Sequence, residues 1–327
     1  MNILVVGYGS IGKRHIQNLL NFKNVHIFVL TKRSQDSFLK QNKIQVFNSL
    51  KKALCKNIDV AIIANTTDQH VKTSYLLAKS GVDLLIEKPL SNSTRDLKKL
   101  FEITQKNKII TLMGCVLRFN PFIKKIHDII TKNELGKIIF ARVENGSYLP
   151  DWHPSENYQK SYASRKDLGG GVVLTAIHEI DYLYWFFGDV KEVFSITGKF
   201  SDLEVTSDDM SSAILRFKNN IIAELHLDYF QKPDFKSCKI KGTKGTIYWD
   251  SDHNEVKIYL TKNNKWETVM KLKNFKRNQT FLDEIKHFMK CVKTKKQTIN
   301  DINQGVRTLE IALAIKKSSK IKKMVGV

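Results

Sequence analysis

The chain has 327 residues, 42% of them hydrophobic and 26% charged, values near those of a folded protein, and its length predicts about two domains with sizeable cores. No run of roughly eighteen apolar residues occurs and residues 1–7 do not read as a signal peptide, which argues against a membrane span or export and for a cytoplasmic protein. The formal net charge is +22, but the lysines are spread along the whole chain, so they read as a solvated basic surface that favours anionic small molecules, with no nucleic-acid motif.

Residues 2–6, 25–30, 58–64, 83–86 and 109–113 are short β-branched runs, apolar without alternation, as strands covered on both faces require. Between them, residues 11–22, 50–55, 68–79 and 94–107 carry Leu, Ile and Ala at helical spacing. This alternation predicts an α/β domain over residues 1–120, a doubly wound parallel sheet. After Pro121 the texture changes. A helix is expected over 122–133, a strand over 137–147, a polar aromatic loop over 148–167 and a helix over 172–187. Strands follow over 192–200, 210–217, 221–230, 235–242, 246–250 and 256–260, separated by turn signals that suit an antiparallel meander. Helices over 279–294 and 302–320 close the chain. Residues 121–327 therefore read as an α+β domain with one large, mostly antiparallel open sheet. The cysteines, Cys55, Cys115, Cys238 and Cys291, are widely scattered with no metal-ligand spacing, so reduced thiols and no metal site are expected.

Gly7-Tyr8-Gly9-Ser10-Ile11-Gly12 is a GxGxxG between the first strand and the first helix. Gly7 permits the tight turn, Gly9 lets backbone approach a pyrophosphate, and Gly12 permits close packing of helix on strand. In this position the pattern predicts a bound dinucleotide. At the end of the second strand, an NAD site calls for an acid to receive ribose hydroxyls. The chain instead reads Thr31-Lys32-Arg33-Ser34, with no carboxylate before Asp36. Two cations and two hydroxyls suit a ribose 2′-phosphate, so NADP is preferred over NAD; the alternative is an ordinary basic turn. Glu87-Lys88-Pro89 follows the run at 83–86, at a strand's carboxyl end where ligands collect. There Lys88 can line the bound cofactor and donate to a substrate oxygen, and Glu87 can pair with it or with ribose.

These motifs, with Asn65-Thr66-Thr67 followed by His70, and with Gly169-Gly170-Gly171 followed by His178 and Asp181, resemble the Gfo/Idh/MocA oxidoreductases over essentially the whole chain. The resemblance implies an N-terminal Rossmann domain and a C-terminal domain whose open sheet joins subunits into a homodimer or homotetramer. It also implies nicotinamide-dependent oxidation or reduction at a carbon of a sugar or cyclitol. Lys88 and His178 would act on the substrate, with Asn65, Thr66, Thr67 and His70 by the nicotinamide. Many members place an acid three or four residues before this histidine, whereas this chain has Thr175 and Leu174. A helix puts His178 and Asp181 on one face, where Asp181 would orient the imidazole or hold a sugar hydroxyl.

Substrate contacts are expected from Arg118 and Asn120, which leave the last strand of the first domain, and from the aromatic loop with Tyr148, Trp152, His153, Tyr162 and Arg165. That loop reads equally as a domain-closing segment with buried aromatics. Trp152-His153-Pro154 and the triple-glycine helix resemble members associated with surface-polysaccharide and nonulosonic-acid sugars. A nucleotide-activated or amino sugar, anionic in keeping with the chain's charge, is the substrate class this implies. Two alternatives are a sugar or cofactor sensor without turnover, and an epimerase or glycosidase that recycles its bound cofactor.

Overall fold

The structure, a computed structural model, describes residues 1–154 and 156–327, and the chain forms two compact units. The first is Met1–Cys115 with Phe281–Val306, and the second is Val116–Thr280 with Arg307–Val327. A linear division at residue 120 does not anticipate the return of Phe281–Val306 to the first unit.

The first unit contains β1 (Asn2–Val6), α1 (Ser10–Leu19), β2 (His26–Leu30), α2 (Ser37–Gln41), β3 (Gln45–Phe47), α3 (Leu50–Leu54), β4 (Val60–Ile63), α4 (Thr67–Lys79), β5 (Asp83–Glu87), α5 (Leu97–Lys106) and β6 (Thr111–Gly114). The strands form a parallel sheet in the order β3-β2-β1-β4-β5-β6. Strand order reverses between β1 and β4, the switch point where ligands of such sheets bind. The predicted parallel sheet is present, and β3 extends it. Strands β4 and β5 are buried along their whole length, which explains their unbroken apolar runs. The edge strand β6 is covered by the returning segment: Asn300 carbonyl accepts from Met113 N–H at 2.8 Å, and Thr298 Oγ1 donates to Thr111 carbonyl at 2.6 Å. An edge left open would offer unpaired backbone groups to another chain.

The second unit contains α6 (Pro121–Thr131), β7 (Ile138–Gly146), α7 (Val172–Thr175), α8 (Ile177–Phe187), β8 (Val190–Gly198), β9 (Met210–Phe217), β10 (Ile222–Asp228), β11 (Phe235–Gly242), β12 (Gly245–Asp250), β13 (Glu255–Leu260) and β14 (Lys265–Lys271). Helices α9 (Arg277–Thr294) and α10 (Ile302–Ile321) and the short β15 (Val325–Gly326) complete the chain. The strands form one sheet in the order β14-β13-β12-β11-β7-β10-β9-β8-β15. It is antiparallel except where β7 pairs parallel with β10. The expected meander is thus interrupted: β7 inserts between β10 and β11. Helices α6 and α8 pack on β13 and β7, and one face of the sheet is buried through Val143, Leu215, Leu225 and Ile240. The helix expected over 172–187 is two helices, broken at Ala176 (φ −92°, ψ 32°). The first turn of α7 is instead tied to Asp208, whose carbonyl accepts from Val172 N–H at 2.8 Å and whose Oδ2 accepts from Val173 N–H at 3.1 Å. No helix among the described residues is long and apolar enough to cross a membrane, and none of their His, Cys, Asp and Glu side chains cluster as a metal site.

Candidate active site

The loop from β1 into α1 is shaped by its glycines. Gly7 has φ +100°, and a Cβ there would lie 2.4 Å from Ala64 carbonyl O on the neighbouring strand. A Cβ on Gly12 would lie 2.3 Å from Gly7 O, so α1 can sit this close to β1 only with glycine at that position. Gly9 differs: a Cβ there would meet no atom within 4 Å, so its face is open beside Ser10 and Ile11 at the start of α1. Beyond β2, Lys32, Arg33 and Ser34 are exposed and Thr31 partly so, and Arg33 Nη1 donates to Tyr8 carbonyl at 3.2 Å. Asp36 is fully engaged. It caps α2 through Leu39 N–H, accepts from Tyr8 Oη at 2.9 Å and pairs with Lys13 at 3.2 Å. The Leu39 N–H bond, with Tyr8 and Lys13, holds its pKa below the ordinary carboxylate value, while burial and Asp36 push Tyr8 up to about 12.

Asn65 ends the turn after β4, and Thr66 and Thr67 open α4. Asn65 Nδ2 donates to Thr73 Oγ1 at 3.0 Å, while its buried Oδ1 has no protein partner. His70, 2% exposed, places Nδ1 2.8 Å from Pro89 O and Nε2 3.0 Å from Asn65 O. Burial depresses its pKa, against the two carbonyl contacts, which act to raise it. Its ring nitrogens therefore face backbone on both sides and leave none for a ligand. Glu87 closes β5 and is likewise turned inward, its Oε1 2.7 Å from Nε2 of the fully buried His15. Lys88 follows, partly buried, before the cis Lys88–Pro89 peptide.

In the second unit, Gly169, Gly170 and Gly171 lead into α7, and the partly buried His178 stands at the start of α8. Asp181, one turn on, does not face outward as a sugar ligand would. Both of its oxygens accept from Arg118, at 2.8 and 2.9 Å, and both side chains are essentially inaccessible. Asn120 Oδ1 is also committed, capping α6 by accepting from Phe122 N–H at 2.9 Å and Ile123 N–H at 3.3 Å. The substrate contacts expected of Arg118 and Asn120, and the catalytic contact expected of Asp181, thus correspond to internal bonds of this unit.

The aromatic loop is packed at some side chains and exposed at others, and Ser155 within it lies outside the described residues. Trp152 Nε1 donates to Ser147 Oγ at 2.8 Å, and its ring meets Tyr229 edge-on at 5.5 Å. Tyr229 is buried, and its hydroxyl donates to Ala163 carbonyl at 3.5 Å, further along the same loop. Lys232 lies over the Tyr148 ring at 3.4 Å. Arg165 pairs with Asp167, whereas His153 and Tyr162 are exposed.

Comparison with known proteins assigns these two halves. Residues 1–115 match the oxidoreductase family with an NAD-binding Rossmann fold, and residues 123–248 match the GFO/IDH/MocA C-terminal domain. The chain belongs to the Gfo/Idh/MocA family. It is an NAD(P)-dependent oxidoreductase of the sugar and cyclitol dehydrogenase type. The chain is 26% identical to a myo-inositol 2-dehydrogenase of Thermotoga maritima, over 99% of this chain and 98% of that one. It is 24% identical to a 2,7-anhydro-N-acetylneuraminate hydratase of Mediterraneibacter gnavus, over 60% of this chain and 52% of the relative. A levoglucosan dehydrogenase in complex with NADH has the same fold, with TM-score 0.89 and 17% identity over 100% of this chain and 99% of that one.

The residues of this Gfo/Idh/MocA protein fit a dinucleotide. The open face of Gly9 admits a pyrophosphate that a side chain would block, at a helix start whose N–H groups and dipole favour anions. Asn65 Oδ1, buried without a partner, is an acceptor suited to a carboxamide N–H. Sequence reasoning missed His15. Its signal was there: Gly12, His15, Ile16 and Leu19 recur at helical spacing on the buried face of α1, and a histidine on such a face needs a partner.

Proposed function

We propose that this protein is a cytoplasmic, NADP-preferring dehydrogenase that oxidises a ring hydroxyl of a nucleotide-activated or amino sugar of surface-polysaccharide or nonulosonic-acid metabolism. The observation that carries the enzymatic reading is the first unit's sheet. Its switch point opens at Gly9, and Lys88 directly follows β5, the strand beside β4. When bound, the nicotinamide supplies the hydride acceptor for oxidation and the donor for reduction. His178 takes the proton of the substrate hydroxyl, and Lys88 donates to the substrate oxygen as it becomes a carbonyl. Asp181 serves by fixing α8 to Arg118 rather than by touching sugar. Exposed Lys32, Arg33 and Ser34, with Asp36 already engaged, favour a 2′-phosphate over free ribose hydroxyls. The substrate class is supported by the hydratase among the relatives, whose name includes an acylated nonulosonic acid. Oligomerisation through the second unit's sheet is supported by Phe194, Ile196 and Ile214, exposed together on β8 and β9.

The test is nicotinamide absorbance with NADP⁺ or NAD⁺ against free, amino and nucleotide-activated sugars. Reduction with an activated or amino sugar supports the proposal, and reduction only with a neutral cyclitol removes its substrate half. A second reading, internal recycling of the cofactor, is favoured by that same hydratase, whose named reaction is addition or loss of water. It predicts sugar conversion seen by NMR with no net change in absorbance.

A further inference from the structure

Glu87-Lys88-Pro89 is held on both sides of the lysine by a buried histidine, and the two histidines come from two different helices. His15 sits on α1, three residues beyond Gly12, with Nε2 2.7 Å from Glu87 Oε1. Gly114 on β6 provides the space for that carboxylate, since a Cβ there would come within 3.1 Å of Glu87 Cδ and Oε2. His70 sits on α4 with Nδ1 2.8 Å from Pro89 O, and its other nitrogen is 3.0 Å from Asn65 O. Both rings are buried, where a polar contact is costly to leave unmade and therefore fixes position sharply. Helix α1 opens at the Gly9 face and α4 opens at Asn65-Thr66, the two loops that fit the dinucleotide.

We propose that His15 and His70 are positioning residues that fasten Lys88 to the two cofactor loops, so that occupation of those loops sets the place of the lysine. This rests on the reading that Lys88 meets substrate. The physical link is short. A shift of α1 moves His15 and with it the Glu87 side chain. A shift of the Asn65 turn moves His70 and with it the Pro89 carbonyl. A lysine held at one end only would keep its fold and lose its aim, and a misplacement of about 1 Å costs about a hundredfold in rate.

The experiment is hydrogen–deuterium exchange of the peptide covering residues 87–97 in the full chain, with and without NADP⁺, alongside cofactor titration by fluorescence. In the wild type, NADP⁺ slows exchange of this peptide. In His15→Leu and His70→Leu the slowing is lost while NADP⁺ affinity stays within about threefold, and His15→Gln, which keeps a donor near the Nε2 position, restores it. If His15→Leu does not fold, Glu87→Ala, which removes the acceptor of that bond, replaces it with the same expectation. With the sugar in hand, kcat of the leucine variants falls about ten- to a hundredfold at unchanged KM. An unchanged exchange response, or loss of cofactor affinity in step with that response, overturns the proposal. Lys88→Ala run in parallel separates the two ideas. Wild-type turnover in that variant sinks the reading of Lys88 as catalytic, while the exchange result still decides whether the histidines hold the segment.

Discussion

Arg118 and Asp181 meet through two parallel hydrogen bonds, Nε to Oδ2 at 2.8 Å and Nη2 to Oδ1 at 2.9 Å, with no appreciable solvent access to either side chain. Arg118 also lies over the Trp185 ring at 5.4 Å, and Trp185 stacks with His127 at 3.8 Å. The pair joins the turn ahead of α6 to the middle of α8, the helix that carries His178. Removing one partner leaves a buried charge uncompensated. Asp181→Ala should therefore cost about 3–5 kcal/mol of stability, read as a lower midpoint in urea unfolding. An Asp181→Asn protein of wild-type stability that binds cofactor but does not turn over would return this residue to the chemistry.

The two glycines of the phosphate loop separate folding from binding. Gly9→Ala should leave the melting temperature unchanged and weaken NADP⁺ binding, because its Cβ meets no protein atom within 4 Å. Gly12→Ala should lower the melting temperature, because its Cβ would lie 2.3 Å from Gly7 O. Equal effects of the two on stability would contradict the assignment of the Gly9 face to ligand.

Cofactor choice is tested at the end of β2. A hydrogen bond to a charged group contributes about 1.5–3 kcal/mol, so Arg33→Ala combined with Lys32→Ala should weaken NADP⁺ about ten- to a hundredfold and leave NAD⁺ within about threefold. Titration of both cofactors reads this directly. A double variant that loses both cofactors equally would make these side chains general determinants rather than 2′-phosphate ligands.

Two histidines tie stability to pH with opposite signs. His70 is held below its ordinary value by burial, so the unfolded chain takes the proton first and stability falls as pH drops below about 6.5. His226 is held above its ordinary value, chiefly by its hydrogen bond with Asp228. Its contribution is full below about 6.5 and disappears as pH rises through the raised value. Urea midpoints between about pH 5 and 8 should thus show His70→Asn flattening the fall below about 6.5 and His226→Gln removing a loss of stability that otherwise sets in as pH rises above it. Parallel curves for both variants and the wild type would contradict the two environments.

Much of the fold was legible because core strands announce themselves. β1, β5, β9 and β11 are apolar or alternating runs bounded by turn residues. What escaped was what tertiary structure decides. β3 has three residues, and β14 is largely exposed and polar, so neither carries a pattern. The parallel pairing of β7 with β10 is a register between segments some eighty residues apart in sequence, which no local periodicity encodes. The break at Ala176 has no glycine or proline to mark it. At the site, the glycine geometry followed from residue type alone. The pairing of Arg118 with Asp181, and the inward turn of Glu87 to His15, required three dimensions, since a charged residue beside a motif looks the same whether it faces a ligand or a buried partner.

The role proposed for Lys88 is on the substrate, not in holding the cofactor. Its most direct test is Lys88→Ala, compared with wild type for NADP⁺ binding by fluorescence and for sugar-dependent nicotinamide reduction by absorbance. Cofactor affinity is expected within about threefold of wild type and turnover lower by about a hundredfold or more. Turnover at the wild-type rate, with cofactor bound equally well, would contradict it.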